Sequence, residues 1–83
     1  MNGKSWYVYI IRCQDQTLYT GITTDLTRRI REHNETKVGA KYTKIRRPVV
    51  LAYQEIYKNR SDAAKREAEI KKLTRIEKLR LFQ

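Results

Sequence analysis

Cysteine is nearly absent. The single thiol, Cys13, excludes an internal disulfide. A lone thiol inside an apolar run reads as a small buried hydrophobe in a reducing compartment. Long apolar runs are missing as well. No stretch approaches the length that crosses a bilayer, and the start MNGKSWYVYIIRC lacks the uninterrupted apolar segment of a secretory signal. The expectation is a cytoplasmic protein without a membrane partner. No repeat, linker or low-complexity tract divides the 83 residues, which predicts one domain over 1–83 with a modest core. No zinc-finger spacing or recognition helix is visible, so sequence-specific base reading is not supported. Acids are scarce: nine Asp and Glu stand against nineteen Lys and Arg, a formal net charge of +10. That imbalance points to a polyanionic partner, nucleic acid ahead of a ribosome or an anionic membrane surface.

What is present orders itself along the chain. WYVYIIRC is β-branched and aromatic on both alternating faces, a strand covered on both sides. TLYTGI is a second strand, so Trp6 to Ile22 reads as an antiparallel hairpin. Thr23, Thr24 and Asp25 offer an N-cap for a helix from about Asp25 to Glu35. TKVGAKYTKIRRP has no periodicity and no acid and reads as a basic loop. VVLAYQEIY is a third strand. KNRS is a turn with Ser61 as the N-cap of a second helix, DAAKREAEIKKL. Thr74 and Glu77 match a capping box that starts a short last helix. The order β-β-α-β-α-α predicts an α+β fold, a three-stranded antiparallel sheet flanked by helices.

Four residues fit poorly into the hydrophobic skeleton. Tyr9 and Tyr19 lie on adjacent strands. Arg29 shares a face of the first helix with Leu26, Ile30 and His33. Glu67 shares a face of the second with Ala63, Ile70 and Leu73. A charge on an apolar stripe is costly unless it is paired or meets a counter-ion. A bland reading accounts for all four: two core tyrosines with satisfied hydroxyls and one Arg29–Glu67 bridge.

The spacing favours another. Tyr-Val-Tyr at 7–9, Tyr-Thr-Gly at 19–21, Arg29 ten residues after Tyr19, and Glu67 within AAKREAEIK resemble the GIY-YIG nuclease superfamily. HNETKVGAKYTKIRRPVV resembles the matching segment of the small single-domain bacterial UPF0213 group, and the branched-DNA nuclease subunit of eukaryotes is similar there. The resemblance spans roughly residues 6 to 75. It departs at Tyr7, which stands where the family has its namesake glycine.

The resemblance implies metal-assisted phosphodiester hydrolysis, as an endonuclease acting on DNA, in branched or damaged structures among others (DNA repair or recombination). Tyr9 would be the general base or water-orienting group, although a tyrosine with a pKa near 10 is a poor base at neutral pH unless Arg29 or a metal favours its phenolate. Tyr19 would bind the water or a phosphate oxygen, and Arg29 would clamp the phosphate through its planar fork. Glu67 would hold one Mg²⁺ (or Mn²⁺), a hard cation content with few carboxylates. His33, one turn beyond Arg29, would support the phosphate or protonate the leaving oxygen. Gly21 would let the substrate backbone approach. Lys37, Lys41, Lys44, Arg46 and Arg47, flanked by Arg28 and Arg31, would form a phosphate-contact surface. Tyr42 would stack on a base or anchor the loop. Asn34 would cap the first helix, ahead of touching substrate. Lys71, Lys72, Arg75, Lys78 and Arg80 read as a solvated face.

This chemistry makes one geometric demand. Both tyrosines share a face of the sheet only if the hairpin turns on three residues, Gln14-Asp15-Gln16, so that Ile11 pairs with Tyr19. The partner is then nucleic acid, DNA ahead of RNA, with specificity coming from substrate shape, from a protein partner, or slight. The competing readings are a non-catalytic nucleic-acid-binding module of the same fold and a purely structural basic protein.

Overall fold

One strand, β1 (Trp6–Arg12), is apolar on both faces and takes the centre of the sheet. It is flanked by β2 (Leu18–Thr23) and β3 (Val50–Tyr57), both antiparallel to it, in the order β2-β1-β3. The computed structural model describes residues 4–35 and 39–82. Val8, Tyr9, Ile10 and Ile11 are at most 1% exposed, as expected of a strand covered from both sides. The architecture is the expected α+β one.

The hairpin has the register that the tyrosines demanded. The Cys13 amide donates to the Thr17 carbonyl and the Gln16 amide to the Cys13 carbonyl, each at 2.9 Å. Gln16 closes this three-residue loop in the left-handed region, with φ 72°. Asp15 accepts from the Thr17 amide and hydroxyl and stiffens the turn. Ile11 therefore pairs with Tyr19, and Tyr9 with Gly21. Side chains alternate along a strand, so Tyr9 and Tyr19 project from one face. In β3, Tyr53 pairs with Ile10 and Leu51 with Ile11, which leaves Ala52 as the extra residue of a bulge.

Each face has its own cover. Helix α1 (Leu26–Glu35) lies over the tyrosine face, where Leu26 and Ile30 pack with Tyr9, Ile11, Cys13, Tyr19 and Val49. Helix α3 (Arg60–Lys71) covers the other face, packing Ala63 and Ile70 on Val8 and Ile10. Helix α4 (Arg75–Arg80) follows, started by the expected capping box of Thr74 and Glu77. Leu81 and Phe82, just beyond it, close the same core.

Three local details differ from the sequence expectations. The basic loop contains a helical turn, α2 (Lys41–Lys44), held by the Thr43 and Lys44 amides on the Ala40 carbonyl. One turn is too short to leave a periodicity. The cap of α3 is Asn59, which accepts from the Asp62 amide at 2.8 Å, so the helix starts before Ser61. Asn34 does not cap α1. Its amide donates to the Val49 carbonyl at 3.0 Å and accepts from the Val49 amide at 2.7 Å, clamping α1 to the chain entering β3.

A half-buried polar cluster ties β3 to α3. Glu55 accepts from the hydroxyls of Tyr53 and Tyr57 and from Arg66, whose Nε lies at 3.0 Å. Burial alone would raise the Glu55 pKa. Arg66 and the two hydroxyls outweigh it and hold the carboxyl below its ordinary value.

Candidate active site

The site is built where α1 crosses the tyrosine face. Its centre is the Tyr9 hydroxyl. Tyr9 comes from the rigid central strand and is 1% exposed. Its Oη lies 2.8 Å from His33 Nε2. Arg29, one turn before His33, is close enough to pull the pKa of this hydroxyl down. The i, i+4 spacing puts both α1 side chains over one residue of the sheet.

His33 is fully buried between the hairpin and α2. Its second ring nitrogen, Nδ1, lies 2.8 Å from the Thr43 hydroxyl, which in turn donates to the Ala40 carbonyl at 2.9 Å. The rings of Tyr9 and Tyr19 meet the imidazole edge-on, at centroid distances of 5.8 and 5.3 Å. Tyr19, half-buried, stacks on Tyr42 at 5.9 Å, and the Arg46 guanidinium lies 3.8 Å over the Tyr42 ring. The line of side chains Tyr9, His33, Tyr19, Tyr42, Arg46 thus runs from the sheet to the surface.

Gly21 faces Tyr9 across the hairpin, and a Cβ there would stand 2.5 Å from the tyrosine Oη and 2.7 Å from Cζ. The absent side chain is the space that the end of the Tyr9 ring occupies.

Electrostatics sets the protonation of the central pair. Burial pushes the Tyr9 hydroxyl up to about 12, against the pull of Arg29, with the charges of Tyr19 and Glu67 adding to the rise. Arg29 does favour the phenolate, as the chemistry would require, but desolvation outweighs it. Burial brings His33 down to about 4, helped by Arg29 and Arg47 and opposed by Glu32. At neutral pH the resting pair is a neutral phenol on a neutral imidazole.

The remaining charged residues fall into four groups. Arg29 pairs with Glu32 at 2.9 Å and keeps its side chain 25% exposed. Glu67 is 21% exposed and pairs with Lys71 at 3.1 Å, on the rim of the stripe formed by Ala63 and Ile70. Among the described residues no group of three or more His, Cys, Asp or Glu could hold a metal. A cation here would meet one carboxylate and otherwise water, a donor set that suits Mg²⁺. Arg46 and Arg47 are engaged internally. Arg46 pairs with Asp15 at 3.0 Å, and Arg47 donates to the His33 and Glu32 carbonyls at the end of α1. Lys41, Lys44, Arg28 and Arg31 are exposed, and Lys37 lies outside the described residues. Sequence reasoning had no signal for Thr43, Glu32 or Ala40, whose parts depend on α2 docking against α1.

Residues 5–80 match the GIY-YIG catalytic domain. A UPF0213 protein of Staphylococcus haemolyticus is 54% identical over 77 residues, 93% of each chain. Another, of Desulfotalea psychrophila, is 57% identical over 70 residues, which span 84% of this chain and only 64% of that relative. Among solved structures, the solution structure of a UPF0213 protein from Bacillus halodurans has a TM-score of 0.59 at 42% identity and covers 93% of this chain and 81% of its own. The solution structure of the protein EF2693 from E. faecalis has a TM-score of 0.63 at 46% identity and covers 96% of this chain and 85% of its own.

Proposed function

This chain belongs to the GIY-YIG family of nuclease catalytic domains, and on that premise we propose that it is a metal-dependent endonuclease of the cytoplasm that hydrolyses phosphodiester bonds in DNA. The observation that carries the reading is the convergence of His33 and Arg29 on the Tyr9 hydroxyl, with His33 Nε2 at 2.8 Å. A structural tyrosine needs one partner. This one has a proton acceptor on one side and a cation that favours its phenolate on the other.

The roles follow from the chemistry. Tyr9 orients the attacking water and takes its proton while its own proton moves to His33. Arg29 offers a planar fork to the scissile phosphate and neutralises charge that grows in the transition state. Tyr19, held by Tyr42, hydrogen-bonds the water or a phosphate oxygen. Glu67 is the residue that would hold a divalent cation, which supplies Lewis-acid neutralisation of the leaving oxygen when bound. The exposed Lys41, Lys44, Arg28 and Arg31 contact the backbone without reading bases. Such a surface selects by shape, which favours branched or distorted DNA. A protein partner is the other source of specificity for so small a chain.

The test is cleavage of labelled DNA, single-stranded, duplex and branched, with Mg²⁺ or Mn²⁺ and with chelator. Arg29→Ala and Glu67→Ala are run beside the wild type, and RNA of the same sequence is the substrate control. Metal-dependent cutting lost in both variants supports the nuclease. Salt-sensitive binding without cutting on any substrate supports the binding module instead.

A further inference from the structure

We infer that Thr43, on the single turn α2, is a positioning residue of the Tyr9 site: it fixes the tautomer of His33 so that the ring presents a lone pair to the Tyr9 hydroxyl. The inference rests on the hydrolytic reading above, but its first measurement does not.

A threonine hydroxyl has one proton. Here that proton goes to the Ala40 carbonyl at 2.9 Å. The Thr43 oxygen therefore meets His33 Nδ1, 2.8 Å away, with a lone pair, and Nδ1 must carry hydrogen. A neutral imidazole has one N–H, so Nε2 is bare. The Tyr9 hydroxyl, 2.8 Å from Nε2, is then the donor of the pair. Thr43 and His33 are both 0% exposed, so no solvent competes for these bonds. The order of donors runs from Tyr9 through His33 and Thr43 to a backbone carbonyl and has one direction.

That direction matters for the reaction. With Nε2 bare, Tyr9 takes a proton from the attacking water as its own O–H bond breaks and an N–H bond forms at Nε2. The resulting imidazolium keeps its Nδ1–H bond to Thr43. Afterwards Tyr9 releases a proton to solvent and takes its own back from Nε2, which restores the pair. With the other tautomer the ring would donate to Tyr9, and the phenol would have nowhere to send its proton. The charged and titratable groups around the ring are Arg29 and Glu32 on α1, Arg47 from the segment after α2, and Tyr9 and Tyr19 from the hairpin. Burial first, and then two cations against one anion, keep the resting imidazole neutral, so its tautomer decides the outcome.

The chain has a single histidine, so its ring nitrogens are read without ambiguity by ¹⁵N-histidine NMR. The Nδ1–H tautomer is expected in the wild type from pH 8 down to about pH 5, with the resting ring neutral throughout. Thr43→Val removes the hydroxyl and keeps the shape, and the Ala40 carbonyl retains the amides of Thr43 and Lys44. This variant is expected to mix tautomers and to lose at least tenfold in kcat with KM unchanged. Thr43→Ser restores both. A wild-type ring in the Nε2–H form overturns the inference, as does a Thr43→Val ring that stays wholly Nδ1–H. Unchanged cleavage in a Thr43→Val protein with mixed tautomers also overturns it. A wild type that binds DNA without cutting removes the nuclease reading, and the tautomer assignment is still decided by the spectrum.

Discussion

The burial of His33 makes folding stability depend on pH in a defined window. In the unfolded chain the imidazole titrates near its ordinary value of about 6.5. In the folded protein it is brought down to about 4 by burial and by Arg29 and Arg47, against Glu32. Between those values the unfolded state binds a proton that the native state refuses, so stability rises with pH across the window. The full contribution is present above about pH 6.5 and is lost as pH falls toward 4. A shift of this size corresponds to roughly 3 kcal/mol. That is a large fraction of the 5–10 kcal/mol, on the order of magnitude, that a domain this small commands. Urea unfolding followed by the fluorescence of the lone Trp6 at pH 7.5, 6.5, 5.5 and 4.5 measures it. The wild-type midpoint should fall steadily below pH 6.5, and His33→Gln, less stable at neutral pH, should flatten the profile there. Glu55, held below its ordinary value by Arg66 and two tyrosines, adds its own loss only at lower pH. A wild-type profile flat from pH 6.5 to 4.5, or one that His33→Gln leaves unchanged, would refute the reasoning.

Other positions give simpler expectations. Gly21→Ala places a methyl 2.5 Å from the Tyr9 oxygen, and the ring has no exposed side to move to. We expect a loss of about 1–3 kcal/mol in thermal unfolding and a larger proportional loss of cleavage, because the Tyr9–His33 bond is what must yield. Thr20, on β2, buries a hydroxyl that has no hydrogen-bond partner among the described residues. Thr20→Val should raise stability by about 1 kcal/mol, and a destabilised variant would mean that this hydroxyl has a partner in solution. Asn34→Ala removes both bonds of the clamp to Val49 and should cost about 2–3 kcal/mol, measured as a shift in urea midpoint at constant m-value.

How much of this the sequence carried depends on how local each feature is. The strands, the two main helices and the Thr74–Glu77 box follow from alternation, periodicity and a four-residue pattern, and the structure has them. The hairpin register was legible for a less direct reason: only the three-residue turn puts Tyr9 and Tyr19 on one face. The turn α2 was not legible, because four residues do not make a period. The cap at Asn59 rather than Ser61 shows the limit of choosing among adjacent polar residues. Asn34 bonding to Val49 and Glu55 gathering two tyrosines and Arg66 depend on chain segments meeting in space. The same holds at the site. Arg29 and His33 on one stripe announced something unusual, but only the packed structure shows a hydroxyl between them and a threonine behind.

The measurement that bears most directly on the nuclease is single-turnover cleavage of one duplex and one branched DNA, with Mg²⁺, by the wild type and Tyr9→Phe side by side. The substitution removes one oxygen from the centre of the site and leaves the ring in the core. We expect metal-dependent cutting by the wild type and a loss of at least about a hundredfold in a folded Tyr9→Phe protein, the scale of positioned proton transfer. Equal rates in the two proteins, or a folded wild type that binds both DNAs and cuts neither, would contradict it.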